Sequence, residues 1–234
     1  MTSEAGREHV THYGATVEQE REVLKEAQIA AIANPASLGL AAFALPLFLW
    51  GAINADFFDR TRLLAFLIPL GLVYGGATQY VAGMWAFRKH EHLLATLFSS
   101  FGAFWISYAG LLWMQQARFL DLSGVDGNRL YGLFFIGWAI FAAYMTVASF
   151  RANFALGLTL LALTLTFLAV AIGFYDGTGW MRLGGWLAMI TGVLCWYDSA
   201  ADAINTVFGR IMLPTRTLRW GAPLEPEYRR PELA

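Results

Sequence analysis

The sequence predicts an all-α membrane protein with six transmembrane helices, and its composition and charge distribution indicate this class. Of the 234 residues, 57% are hydrophobic and only 14% are charged, whereas a soluble domain carries about 25% charged residues. The charged residues are also clustered, so long apolar runs separate them. Runs of about 20 apolar residues have the length that a helix needs to cross the hydrocarbon core of a bilayer.

The chain divides into a charged tail, an apolar domain and a second tail. Residues 1–33 form the first tail, in which a thin apolar stripe over 17–32 is compatible either with a short amphipathic helix or with a solvated segment. Residues 34–208 form the predicted transmembrane domain. Residues 209–234, which hold four of the seven prolines, form the second tail.

The first apolar segment has an unusual start. Asn34 can accept a hydrogen bond from the backbone at a helix N-terminus, and Pro35 suits the first helical position, where no N–H partner is needed. The start of a helix carries a fractional positive charge and free N–H groups. If this start lies within the membrane, its free N–H groups form a site for an anion.

Six apolar segments can each span about 30 Å of hydrocarbon. We place them near residues 34–53, 63–87, 93–116, 129–150, 153–174 and 183–208. In the second segment, Gly71 and Gly75 match the small-x-x-x-small pattern that is typical of closely packed membrane helices.

Lysine and arginine are distributed unequally between the two sides of this arrangement. With six spans both tails lie on one side, which collects 11 of the 16 basic residues, and the other side has 5. Because basic residues favour the cytoplasmic side, we expect a multi-pass protein of the plasma (inner) membrane with both termini in the cytoplasm.

Several functional classes are disfavoured. The net charge of −1 argues against nucleic-acid binding. Cys195 is a lone cysteine in an apolar run and is expected to be a buried thiol. His90 and His92 flank a predicted turn, and the spans contain no histidine. We therefore expect no metal site, no cofactor and no catalytic residue.

Three motifs follow one another along the first three predicted helices. They read Asn-Pro-Ala-Ser-Leu-Gly-Leu at 34–40, Tyr-Gly-Gly-Ala-Thr-Gln at 74–79 and Phe-Ser-Ser-Phe-Gly-Ala-Phe-Trp at 98–105. Together they resemble the acetate uptake transporter family (AceTr), which contains bacterial acetate–succinate permeases and fungal relatives. A weaker match is Phe-Gly-Arg at 208–210. The resemblance covers roughly residues 33–214.

This resemblance implies a protomer of six helices and a ring-shaped homo-oligomer, a hexamer, with one pore per protomer in contact with membrane lipid. It also implies transport of acetate and similar short-chain carboxylates, either channel-like or coupled to protons. An alternative is a transporter-related membrane sensor that signals through its cytoplasmic tails. A membrane-embedded enzyme is disfavoured, because the spans contain no histidine and only one cysteine, so a metal or nucleophile site is hard to build.

The candidate substrate-binding residues belong to the first and second motifs. They are Asn34, Pro35, Leu38, Gly39, Leu40 and Gln79. The helix start and the glutamine amide offer donors to a carboxylate without a full positive charge that would trap it. The alternatives are a plain helix cap for the asparagine and a hydrogen bond between helices for the glutamine.

The resemblance also places the narrowest point of the pore. The family's Phe, Tyr and Leu at this point fall on Phe43, Phe101 and Leu163, so a phenylalanine replaces the tyrosine. An apolar ring gates by dewetting and favours short aliphatic chains; the alternative is ordinary core packing. Two further departures from the family pattern are Ser37 in place of a proline and Ala86 in place of a glutamate.

Asp198 and Asp202 are the clearest candidates for charged residues inside the membrane. They are four residues apart on the sixth predicted helix and share a face. Carboxylates inside a membrane are costly and usually functional. Their mutual repulsion favours proton binding by one of them, so both are candidates for proton coupling. The alternative is that this end of the helix lies at the membrane interface, and Asp202, nearer the tail, is then a solvated charge.

Overall fold

A computed structural model describes residues 19, 21–25, 28–29, 32–59 and 64–215. Within these residues the long elements are all helical: α1 (Ala36–Asn54), α2 (Leu64–Arg88), α3 (His92–Gln116), α4 (Gly124–Ala152), α5 (Phe154–Asp176) and α6 (Thr178–Phe208). Within 17–32, where a short amphipathic helix was one of two alternatives, the described residues 19, 21–25 and 28–29 are helical, and 21–25 are exposed.

Five of the described helices, α1 to α5, are long and apolar enough to cross a membrane. The last helix, α6, has 31 residues but is not among them. Its sequence includes polar and charged residues such as Arg182, Asp198 and Asp202, which lower its hydropathy. The residues described thus confirm a helical membrane-type fold, and the sixth span remains a prediction.

Helices α4 and α6 begin earlier than the apolar pattern predicts, near 124 and 178 rather than 129 and 183. Before α4, the Asp121 carboxylate accepts the Ser123 N–H at 2.8 Å, and hydrogen bonds from Ser123 lower the pKa of this exposed carboxyl. Asp126 lies in the first turn of α4, where a negative charge is favourable. The polar residues at the starts of α4 and α6 were therefore predicted to lie in loops, although they form the first turns of these helices.

The helices pack in an order that brings the first and last together. α4 lies along α5, α5 along α6 and α6 along α1, whereas α2 and α3 pair with each other and contact α1. At the closest approach, a Cβ atom added to Gly185 would lie 2.4 Å from the Ala55 nitrogen and 2.7 Å from the Gly51 carbonyl oxygen. Glycine on both helices therefore lets α6 pack against α1 with their backbones in contact.

A π-helical stretch interrupts α2 over Gly71–Thr78 and ends immediately before Gln79. A Cβ on Gly75 would lie 2.8 Å from Trp105 Cγ and 2.9 Å from Pro46 Cγ. The glycine pattern in this helix therefore serves close packing against α3 and α1, as expected. π-helical turns occur frequently at functional sites. This one directly precedes Gln79, whose side chain is buried in the core.

The chain folds back after α6. Gly209 adopts φ +64°, a left-handed conformation suited to a helix C-terminus. Asn205 then donates to the Leu213 carbonyl at 2.8 Å and accepts the Leu213 N–H at 2.9 Å, and the Tyr197 hydroxyl donates to the Pro214 carbonyl at 2.7 Å. The first residues of the predicted C-terminal tail are thus packed against the helices.

Candidate functional site: a capped helix start and a buried aromatic cluster

The start of α1 forms one end of the candidate site. The side-chain oxygen Oδ1 of Asn34 accepts the Ala36 N–H at 2.9 Å, as expected of a capping residue. The helix begins at Ala36, one residue later than predicted. Pro35 is buried and has φ −79°, which suits this position. The Asn34 amide nitrogen donates to Asp202 Oδ1 of α6 at 3.0 Å.

Asp202 is therefore not a free, solvated charge. Its second oxygen, Oδ2, accepts the Ser37 N–H of α1 at 3.2 Å, and the Ser199 hydroxyl of α6 donates to the Ser37 carbonyl at 2.7 Å. Two donors at the helix start are thus occupied by side chains of the protein. Where the sequence predicts an open anion site, the structure places the chain's own carboxylate.

The remaining residues of the first motif differ in position. Gly39 and Leu40 are buried, and a Cβ on Gly39 would lie 2.6 Å from the Phe98 ring, so only glycine fits there without a shift. Leu38, in contrast, is 46% exposed. The structure does not bring this leucine to the buried residues of the site.

Gln79 lies deep in the protein, with 1% of its surface exposed. Its side-chain oxygen has no hydrogen-bond partner among the described residues, so this oxygen does not accept a hydrogen bond from another helix. A buried amide oxygen without a partner costs free energy and requires an explanation.

The three residues of the predicted constriction lie in one hydrophobic core. Phe43 and Phe101 belong to a buried aromatic cluster, and Leu163 adjoins it. Phe43 and Phe101 are 4% and 2% exposed, and their ring centroids are 5.0 Å apart. The Phe101 ring is 6.4 Å from Phe167, one helical turn along α5 from Leu163, which is fully buried. α1, α3 and α5 thus bring these side chains to the same level of the protein.

Asp198 is buried between α5 and α6, with 4% of its surface exposed. Its Oδ2 accepts the Thr159 hydroxyl at 2.8 Å, and its Oδ1 has no partner in the described part of the chain. The interfacial alternative does not fit this residue in the protomer. An ionised carboxylate here leaves a charged oxygen without a donor, which is costly.

The comparisons with known proteins agree with the motifs. A model of the GPR1/FUN34/yaaH family matches residues 14–220. The chain belongs to this family. Acetate permease A of Emericella nidulans is 32% identical over 84% of this chain and 70% of its own length. The succinate-acetate/proton symporter SatP of Escherichia coli is 29% identical over 78% of this chain and 95% of its own.

A solved structure, that of the bacterial acetate channel SatP, superimposes on this family member with a TM-score of 0.72 and 28% identity, over 78% of this chain and 98% of that one. Fungal relatives can be longer: the match covers 64% of the Accumulation of dyads protein 2 of Saccharomyces cerevisiae. The family and its named relatives confirm the resemblance inferred from the motifs and a membrane localisation for this chain.

At the opposite end of the bundle, this family member has two adjoining cavities of about 180 and about 250 Å³. Asn128 and Phe174 line both of them. Beside them the Tyr131 hydroxyl donates to Gln115 Oε1 at 2.6 Å. The surface that lines these cavities is mainly apolar, and they lie on the side of the aromatic cluster away from Asn34.

Sequence reasoning missed several polar residues of the core. Thr159 was not singled out, although a hydroxyl near a buried acid is a natural partner. Trp50 and Trp105 were treated as part of a general aromatic enrichment. The Trp50 indole donates to the Tyr108 hydroxyl at 2.8 Å, whereas the Trp105 nitrogen is buried without a partner among the described residues. The number of tryptophans in the sequence does not indicate which indole N–H is paired and which is unpaired.

Proposed function

We propose that this protein carries acetate and similar short-chain carboxylates across the membrane, by a channel-like or proton-coupled route through the protomer. The observation that carries the proposal is the family match, together with two features of the first three motifs. The start of α1 carries the polar side chain of Asn34, and the Phe43–Phe101 pair is buried in the core. We take Asn34, Gln79 and this pair as successive parts of the route. Relatives named as acetate and succinate transporters support the substrate class.

The polar groups along this path suit a small anion that must also leave. A carboxylic acid with a pKa of about 4 is mostly ionised at neutral pH, so the path needs donors. The amides of Asn34 and Gln79 are neutral donors and bind less tightly than a lysine or arginine would. Asp202 accepts the hydrogen bond of the Asn34 amide. The substrate therefore reaches the Asn34 amide only when this aspartate is displaced or protonated.

Six membrane spans are part of the proposal. α6 packs along both α1 and α5, so it crosses the bilayer with them. Two of its polar residues face inward, since Asp198 is 4% and Asn205 is 7% exposed. Both termini then lie on the side richer in lysine and arginine, the cytoplasm. We further propose the ring-shaped hexamer that the resemblance implies, in which each protomer has its own path.

Asp198 is the proposed proton-binding residue of this path. Thr159 stabilises one of its oxygens, and the other has no partner among the described residues. A proton on the unpartnered oxygen removes the negative charge from the interior, so the passing anion is not repelled. Proton binding then accelerates transport, in line with the symporter named among the relatives.

Leu163→Ala is expected to broaden the substrate range. The substitution removes three carbon atoms from a fully buried position beside the aromatic cluster, so the constriction widens. Uptake of butyrate and succinate should rise at least about fivefold relative to acetate, because even one methylene group at an apolar contact changes discrimination by about 1–3 kcal/mol. Competition with labelled acetate measures this ratio. Leu165→Ala, at an exposed position of the same helix, is the matched control, and an unchanged ratio in Leu163→Ala would move the constriction elsewhere.

Uptake of labelled acetate into proteoliposomes tests the function itself. We expect saturable uptake that unlabelled acetate inhibits and that a proton gradient, acid outside, accelerates. Empty vesicles give the passive diffusion of the neutral acid, which is subtracted. Uptake no faster than in empty vesicles, from protein shown to be assembled, would refute the proposal.

A further inference from the structure

The indole N–H of Trp105 is a buried donor that the protein does not use. Trp105 is 1% exposed, and its Nε1 has no hydrogen-bond partner among the described residues. Trp50 provides the comparison: it is 2% exposed, yet its Nε1 donates to the Tyr108 hydroxyl at 2.8 Å. Buried donors are nearly always paired, so an unpaired one requires an explanation such as a ligand.

Trp105 lies beside the constriction. It is one helical turn from Phe101 on α3, and its ring centroid is 6.2 Å from that of Phe43 in an edge-on arrangement. The indole is therefore in the wall of the path at the level where the substrate is most closely surrounded. A donor here contacts the substrate at a point where water is scarce and hydrogen bonds are strong.

The polar edge of the indole is turned toward α2. A Cβ on Gly75 would lie 2.8 Å from Trp105 Cγ and 3.0 Å from Cδ1, the carbon bonded to Nε1. Gln79 is one helical turn further along α2, and its buried oxygen also lacks a partner within the described residues. The unpaired Trp105 N–H is a donor and the unpaired Gln79 oxygen is an acceptor, so of the two only the indole can donate a hydrogen bond to a carboxylate.

We propose that the Trp105 N–H donates a hydrogen bond to a carboxyl oxygen of the substrate as it enters the constriction. This assignment rests on the proposed transport function and adds a specificity-determining residue to it. The indole is neutral, so it compensates part of the lost hydration of the carboxyl group without trapping it. An apolar constriction alone gives no reason for a carboxylate to enter.

Trp105→Phe tests the assignment, because phenylalanine retains an aromatic ring but has no N–H. The half-saturation concentration for acetate is expected to rise about tenfold, the effect of losing one hydrogen bond to a charged group. Trp50→Phe is the matched control, since its N–H is paired within the protein, and it should leave the half-saturation concentration within about twofold. Equal values for Trp105→Phe and wild type would overturn the proposal.

A second measurement does not require transport. In protein labelled with 5-fluorotryptophan, sodium acetate should shift the fluorine resonance that Trp105→Phe removes, whereas sodium chloride at the same concentration should not. The resonance that Trp50→Phe removes should stay in place. If Trp105→Phe does not assemble, Trp105→Tyr provides the assignment. An unmoved Trp105 resonance overturns the donor role even where wild-type uptake is saturable, whereas a lack of wild-type uptake overturns the transport function instead.

Discussion

Asn34→Ala is expected to reduce acetate uptake by more than tenfold while the assembled protein remains abundant. The substitution removes a helix cap, a loss of about 1 kcal/mol, which a bundle with this buried core can tolerate. It also removes the amide that donates to Asp202 at 3.0 Å and that the substrate is proposed to use. Transport should therefore fall much further than stability, as measured by uptake per assembled protein.

Ser199→Ala is the matched control for this prediction. The Ser199 hydroxyl donates to the Ser37 carbonyl at 2.7 Å, so it joins the same two helices at the same point, and its loss costs a similar free energy of about 1 kcal/mol. It frees no donor for an anion. If both variants assemble and transport acetate equally well, Asn34 has only a structural role.

Asp198→Asn is expected to keep transport and to flatten its pH dependence. In the wild type, uptake should rise as the pH falls, because protonation neutralises the buried carboxylate and removes its repulsion of the passing anion. Asparagine is uncharged at every pH and mimics the protonated form. Its uptake should therefore be close to the acid-side rate of the wild type across the whole range.

The measurement is the initial rate of acetate uptake from about pH 5 to pH 8, with diffusion into empty vesicles subtracted at each pH. Asp176→Asn, at the exposed end of α5, removes an acid outside the buried region and should retain the wild-type profile. Identical pH profiles for the wild type and Asp198→Asn would assign this aspartate a structural role only.

Most of the fold could be predicted from the sequence because a membrane helix is recognisable from its own residues, as a long apolar run. The run that became α1 contains no charge over Ala36–Asn54, and Arg88, Asn153 and Gly177 stand at helix ends where charge, capping or turn chemistry placed them. The prediction was less accurate at Gly124 and Thr178, because polar residues in a first helical turn resemble a loop.

The candidate site was predicted only in part, because its geometry depends on which helices meet. The aromatic residues and Asn34 were identified through motifs, and the structure brings Phe43 and Phe101 together. The contact between Asn34 and Asp202 joins residues 168 positions apart, and no local pattern reports it. The unpaired state of the Trp105 nitrogen is likewise a result of tertiary packing.

Thiol modification of Leu163→Cys tests most directly the claim that the substrate passes through the aromatic cluster. The native Cys195 is buried on α6, outside the constriction formed by Phe43, Phe101 and Leu163. The wild type is therefore expected to resist a small hydrophilic thiol reagent and to keep its uptake. Leu163→Cys should transport acetate, lose that uptake on modification, and react more slowly when acetate is present in excess. Uptake that continues in fully modified protein, or a cysteine that never reacts while acetate is being transported, would contradict the proposed path.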